Sequence, residues 1–262
     1  MKKIIIFLIV ILPLMIFFII KSKPAPAPSP AAQPTLNKNS KQVKYPQDYT
    51  LVLVGDSMTQ ILGNCDELKA DLKKYYPKKS FECLNYGFGS TNILSLQERL
   101  EKETFFERKF RPLTEIDFDV ILVESFGHNP LSKYPLEEGL KKQTEALQEA
   151  FTTLKRTNPR AKILFMATIA PSIKKYGLGQ VNLSAEKRGE WAREREAYIK
   201  NHINFAQTNN IPLINIYQKS LKDGDLNLDL VSSSDYIHPS PTGVYFISQE
   251  IADFLYNNKI LR

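Results

Sequence analysis

Five short apolar runs recur after residue 48, at 50–54, 81–85, 120–124, 162–167 and 212–216, and most are followed by stretches in which apolar residues return at helical spacing. Runs of this length and continuity predict buried strands. Asn64, with Glu67 three residues on, predicts a capped helix start. Leu136, Leu140, Leu147, Phe151 and Leu154 repeat at helical spacing, as do Trp191, Tyr198, Ile199, Ile203 and Ala206. Ser240-Pro241 predicts the start of a last helix with the stripe Val244, Ile247, Ile251 and Phe254. Strands that alternate with helices predict a parallel sheet covered on both faces. Ligands gather at the carboxyl ends of the strands in such sheets, so chemistry is expected just after each run.

The first 47 residues follow a different pattern. Residues 4–20 are apolar throughout, with Lys2 and Lys3 before them and Lys21 and Lys23 after. At about 1.5 Å of rise per residue the run lies at the short end of what spans a bilayer. A cleavable signal wants small residues shortly after the apolar core; Ala25-Pro26-Ala27 is the nearest candidate, and Pro28 would follow the cut. The expectation is an uncleaved transmembrane signal anchor over 1–21, with the following domain outside the cytoplasm. Residues 22–47 carry Pro24, Pro26, Pro28, Pro30, Pro34 and Pro46 among small and polar residues, a composition that favours an extended spacer. Residues 48–262 form the globular domain.

Composition changes the picture mainly by exclusion. The 262 residues carry a formal charge of +7. Lys2, Lys3, Lys21, Lys23, Lys38, Lys41 and Lys44 account for it, leaving 28 basic and 28 acidic side chains from Asp48 onward. A domain that held nucleic acid through its phosphates would need a basic excess, so no nucleic-acid partner is expected. Cys65 and Cys83 are too far apart for a CxxC zinc or redox site. A bridge between them is within geometric reach if the intervening helix packs on both strands, but the burial tendency of free cysteine favours two small buried thiols.

Four segments at strand ends carry candidate chemistry. Gly55-Asp56-Ser57-Met58-Thr59 places a serine on the turn leaving the first strand, where backbone dipoles can stabilise an oxyanion. The loop 85–92 has glycines that allow backbone N–H groups close to a ligand, without a phosphate-loop or dinucleotide pattern. Glu124-Ser125-Phe126-Gly127-His128-Asn129-Pro130 follows the third strand and offers the Asn129 amide as a donor. Asp235-Tyr236-Ile237-His238 pairs an imidazole with a carboxylate one turn upstream, which fixes its tautomer. Of the three histidines, His202 falls beside a helical stripe as a structural or surface side chain. His128 is a site-lining residue without a carboxylate partner in its segment, and His238 is the best base.

Together these segments resemble the SGNH hydrolases, or GDSL-type esterases, whose four blocks occur here in order over residues 49–257. The resemblance implies a flavodoxin-like three-layer α/β/α sandwich with a five-stranded parallel sheet. It implies Ser57 as nucleophile, His238 as general base and acid, Asp235 as its orienter, and an oxyanion hole of Ser57, Gly89 and Asn129. Asp56, Ser90 and His128 are expected to contact substrate. Two departures stand out: Pro130 replaces the usual Asp of the third block, and the second block is one residue short, so Gly89 or the N–H of Ser90 fills the oxyanion position. The implied activity is hydrolysis of carboxylic esters without metal or organic cofactor. Acylated cell-surface glycans are the first substrate expectation, with lysophospholipids or small esters next. Acyl transfer by the same intermediate is an alternative, as is a surface binding module that has lost turnover.

Overall fold

The computed structural model describes residues 45–261. The predicted anchor and most of the spacer lie outside the described residues. Among the described residues no helix is long and apolar enough to cross a membrane.

All five apolar runs are strands of one sheet. In chain order the elements are β1 (Tyr49–Gly55), α1 (Ser57–Gln60), α2 (Asp66–Tyr75), β2 (Phe81–Gly87), α3 (Leu96–Glu101), β3 (Thr104–Phe106), β4 (Arg108–Phe110), β5 (Val120–Glu124) and α4 (Leu136–Thr157). Then follow β6 (Lys162–Ala167), α5 (Ala185–Thr208), β7 (Leu213–Asn215), α6 (Ile216–Lys219), β8 (Leu221–Lys222), β9 (Asp225–Leu226) and α7 (Pro241–Asn257). The main sheet is parallel, in the order β2-β1-β5-β6-β7. Counting only its own strands this is 2-1-3-4-5, the flavodoxin-like order.

The near-continuous apolar character of the strands has a direct cause, since side chains alternate between two cores. Leu51, Leu53, Val120, Leu122, Leu164 and Met166 face the side packed by Leu68 and Leu72 of α2 and by Ile247, Ile251 and Leu255 of α7. Val52, Val54, Ile121, Val123 and Phe165 face the side packed by Leu96, Leu100, Leu147 and Leu154 of α3 and α4. Helix α5 serves both cores, through Ile199 and Ile203 on one side and Tyr198 and Phe205 on the other. Each fully buried Leu, Ile or Val contributes about 1.5–3 kcal/mol relative to exposure. The register aligns Gly55 with Gly87, Val54 with Val123, Glu124 with Met166 and Ala167 with Asn215. The turns leaving the strands thus share one edge.

Two expectations need correction. The helix expected from Asn64 starts at Asp66, and its cap position is Cys65, with φ 56° and no side-chain cap bond. The turn before it is closed by backbone bonds from Gly63 to Gln60 and from Cys65 to Leu62, so Asn64 points outward and caps nothing. Cys65 and Cys83 are joined in a disulfide, with Cα atoms 6.2 Å apart, rather than being two free thiols. Parallel pairing of β1 with β2 brings Cys83 beneath the start of α2, and that proximity was not legible from burial tendency alone. The short hairpins β3–β4 and β8–β9 and the one-turn helix α6 lack a strong periodic signal and were not anticipated.

Candidate active site

The turn after β1 is shaped by close packing. Gly55 has no room for a side chain, because a Cβ there would fall 2.1 Å from Thr59 Oγ1 and 2.8 Å from Glu124 Oε2. Asp56 follows as the cap of α1, its Oδ1 accepting the Met58 N–H at 2.8 Å. Ser57 opens the single turn of α1 and is half-buried.

His238 reaches this serine from 181 residues away, with Nε2 3.0 Å from Ser57 Oγ. Its Nδ1 lies 2.7 Å from Asp235 Oδ2. Asp235 Oδ1 also accepts the backbone N–H groups of Ile237 at 2.8 Å and His238 at 3.1 Å. Burial pulls the Asp235 carboxyl upward, but the His238 hydrogen bond and the two backbone donors outweigh it and hold it below the ordinary range. An ionised Asp235 fixes the proton on Nδ1 and leaves Nε2 as the acceptor facing Ser57.

On the other side of Ser57 is the glycine loop. Asn85 stitches it to the serine turn, donating to Thr59 O at 2.9 Å and Gly63 O at 3.0 Å while accepting the Gly87 N–H at 2.8 Å. Gly87 and Gly89 both face the helix turn: a Cβ on Gly87 would fall 2.2 Å from Gln60 N, and one on Gly89 would stand 3.8 Å from Ser57 Cβ. Gly89 therefore stands beside the nucleophile position, and Ser90 is exposed with φ 59°. Neither the Ser57 nor the Gly89 N–H has an acceptor among the described residues. The Asn129 amide donates one hydrogen to Asp56 Oδ2 at 2.9 Å, which leaves its second N–H available. Ser57 N–H, Gly89 N–H and Asn129 Nδ2 form a set of donors suited to a developing oxyanion.

Two expected substrate contacts are corrected by burial. Asp56 is fully buried, and both its oxygens are engaged by Met58 and Asn129. It orients the turn and Asn129 instead of meeting substrate. His128 is also buried, its Nδ1 3.2 Å from Tyr176 Oη and its Nε2 2.9 Å from Ile169 O. Burial pushes its pKa down against the pull of Asp56, so it is neutral. His202 is structural, not superficial: its ring stacks on Phe165 at 4.6 Å, and burial lowers its pKa to about 3.

A buried polar layer beneath the turn went unread in the sequence. Glu124, at the end of β5, accepts from Ser125 Oγ at 2.7 Å, Phe126 N at 2.9 Å and Asp56 N at 3.2 Å. Burial, then the Asp56 charge, push its carboxyl well above the usual range. Arg99 of α3 is buried with it, donating to Gly55 O at 2.6 Å, Tyr86 O at 2.8 Å, Ser95 Oγ at 2.7 Å and to Thr91 Oγ1. Its guanidinium stacks on Phe88 at 4.3 Å and lies 5.3 Å from the Phe126 ring. Burial lowers its pKa to about 10 despite Asp56 and Glu124, so the charge persists at neutral pH. The one available signal was Glu124, a carboxylate ending an otherwise apolar run. Arg99 had none.

Among the described residues no group of three or more His, Cys, Asp or Glu side chains forms a metal-ligand set. An open groove of about 690 Å³ between α3 and α4, lined by Gln97, Glu101, Gln148, Glu149 and Arg156 among others, includes none of the site residues.

Comparison with known proteins gives the family and the fold. The profile of the GDSL-like lipase/acylhydrolase family matches residues 53–244. A search of curated proteins finds no match. Among solved structures, a lipase/acylhydrolase from Enterococcus faecalis superimposes with a TM-score of 0.56 at 16% identity, covering 80% of this chain and 96% of that one. The acetyl xylan esterase AlAXEase gives 0.54 at 19% identity, covering 77% and 97%. A variant of a Geobacillus acetyl-xylooligosaccharide esterase gives 0.55 at 15% identity, covering 79% and 94%. At these identities the structural likeness shows a common fold.

Proposed function

The chain belongs to the GDSL-like lipase/acylhydrolase family of ester-hydrolysing enzymes, and from that premise we propose that it is a membrane-anchored, extracytoplasmic serine esterase removing O-acyl groups, acetyl foremost, from cell-surface glycans. The observation that carries the mechanism is the line from Ser57 Oγ through His238 to Asp235, at 3.0 and 2.7 Å. His238 Nε2 takes the Ser57 proton as Oγ attacks the ester carbonyl. The oxyanion is met by the N–H groups of Ser57 and Gly89 and the free amide hydrogen of Asn129. Collapse breaks the bond to the leaving alcohol, which receives the proton from His238. Water, deprotonated by the same imidazole, then releases the carboxylic acid and restores Ser57.

The acyl and substrate class draws support from two structural neighbours, named for acetyl xylan and acetyl-xylooligosaccharide esterase activity. Anchoring draws support from the uninterrupted apolar run at 4–20 between lysines. A fluorophosphonate probe on the full-length chain should label the wild type and not Ser57→Ala, and ester turnover should disappear with the label. Hydrolysis should fall steeply from acetyl to long acyl esters, and acetylated oligosaccharides should be deacetylated. Labelling that persists in Ser57→Ala and maps to Ser90 overturns the nucleophile. Release of the full-length protein from membranes by alkaline washing overturns the anchor.

A further inference from the structure

Three side chains outside the set just described form one hydrogen-bonded chain whose proton positions are determined. The Nε–H of Arg195, on α5, donates to Tyr176 Oη at 3.0 Å. The Tyr176 hydroxyl hydrogen is then directed to His128 Nδ1 at 3.2 Å. A carbonyl oxygen can only accept, so the 2.9 Å contact of His128 Nε2 with Ile169 O places the imidazole proton on Nε2. That leaves Nδ1 as the acceptor that Tyr176 requires. Both rings are buried, 5.5 Å apart and 20° from parallel.

The position of Tyr176 matters more than the bonds themselves. It belongs to the segment 168–184 between β6 and α5, which the structure holds from three directions. From α5, Arg188 donates to Tyr176 O at 2.6 Å and to Leu183 O at 3.1 Å. Arg195 lies against both the Tyr176 and Trp191 rings, 5.1 and 4.8 Å from their centroids. Residues 188, 191 and 195 share one helix face. From the oxyanion side, His128 immediately precedes Asn129. From the acid–base side, the Lys175 ammonium lies 5.1 Å from the Tyr236 ring centroid, and Gly177 leaves room for Ile237, 3.8 Å from where a Cβ would stand. Both contacts fall inside the segment 235–238. The 168–184 segment therefore spans from the turn carrying Asn129 to the turn carrying His238, with Tyr176 in the middle.

We propose that Tyr176 is a positioning residue for ester hydrolysis: through His128 it sets where Asn129 stands relative to His238, with Arg195 as its fixed support. The inference rests on the esterase reading above. Oxyanion donors work only within a narrow distance of the developing charge, and losing one outright costs about 10²–10³-fold in kcat, so displacing one by removing its support should cost less than that. Tyr176→Phe keeps the ring stack and deletes only the hydroxyl, and with it the two hydrogen bonds that link Arg195 through Tyr176 to His128. The groups facing His128 are Asp56, Arg195, His238 and Tyr176. None of these becomes a new base in the variant, so the pH profile should keep its shape while its height falls.

The test is a double-substitution cycle on the full-length enzyme with p-nitrophenyl acetate. Tyr176→Phe should lower kcat about tenfold with KM within about twofold, the pattern of an interaction expressed in the transition state. In an Asn129→Ala background the same change should cost less than about twofold, because the group it positions is gone. His128→Gln retains a donor for Ile169 O and an acceptor for Tyr176, and should stay within about threefold of wild type, whereas His128→Leu should fall as far as Tyr176→Phe. A full tenfold loss persisting in Asn129→Ala, a loss expressed in KM alone, or a wild-type kcat in Tyr176→Phe overturns the proposal while leaving the esterase intact. A wild-type chain that neither turns over esters nor takes the fluorophosphonate label overturns the esterase reading and this inference with it.

Discussion

The two sides of Ser57 are built on opposite principles. The acid–base side is local: Asp235 and His238 lie three residues apart, their bond closes a single turn, and both keep some solvent contact. The oxyanion side is assembled from afar. Asp56, Gly89, Arg99, Glu124 and Asn129 come from four separate stretches, and Asp56, Arg99 and Glu124 are buried together with interlocking hydrogen bonds. Charge on the first side can be altered with little consequence for packing, since water and neighbouring backbone still solvate what remains. On the second, every removed group leaves buried partners unsatisfied. Catalysis and stability should therefore separate across the serine.

The largest expected effect tests the local side. Asp235→Asn should lower kcat by about 10⁴-fold, since the amide favours the wrong imidazole tautomer. Its thermal midpoint should stay near that of wild type, because Asn can still accept the two backbone N–H groups that Asp235 Oδ1 accepts. A large fall in the midpoint would show that the acid–base turn is structural as well.

Glu124→Ala should do the reverse. It strands the Asp56 and Phe126 N–H groups and the Ser125 hydroxyl in a buried site, at a cost of about 3 kcal/mol or more. For a domain of this size that lowers the midpoint by roughly 6–12 °C in calorimetry. Glu124→Gln, which keeps both an acceptor and the volume, should recover most of the loss. Equal stability of all three proteins would dissolve the contrast between the two sides.

The smallest effect sharpens the comparison with a buried histidine that has no chemical role. His202 has a folded pKa of about 3, depressed by burial, against about 6.5 when unfolded. The unfolded chain binds the extra proton, so stability is fully present above about pH 6.5 and declines as pH falls toward 3, by at most about 1.4 kcal/mol per pH unit. Urea midpoints measured from pH 7 to 4.5 should fall less steeply in His202→Leu than in wild type. Identical slopes would show that His202 is not the group responsible.

How much of this was legible follows the same division. The five strands were readable because each is buried on both faces, which makes its sequence almost purely apolar. The last helix was readable because Ser240 and Pro241 meet the two local demands of a helix start, and Ser240 Oγ does accept the Gly243 N–H. The pair Asp235 and His238 was readable because its partners are close in sequence. Asp56 and His128 were misread as substrate contacts because residue type and strand-end position say nothing about which way a side chain turns.

The sequence by itself determined the order of strands and helices, the local acid–base turn and the residues that leave each strand end, since all of these depend on neighbours a few positions apart. Only the tertiary structure decided that Gly89 stands beside Ser57, that Cys65 meets Cys83, and that Arg99 and Glu124 support the serine turn. It also decided that Tyr176 joins His128 to Arg195. Those outcomes depend on parallel pairing of strands and on burial of charge between elements tens of residues apart, where a side chain's partner is set by packing and no pattern along the chain records it.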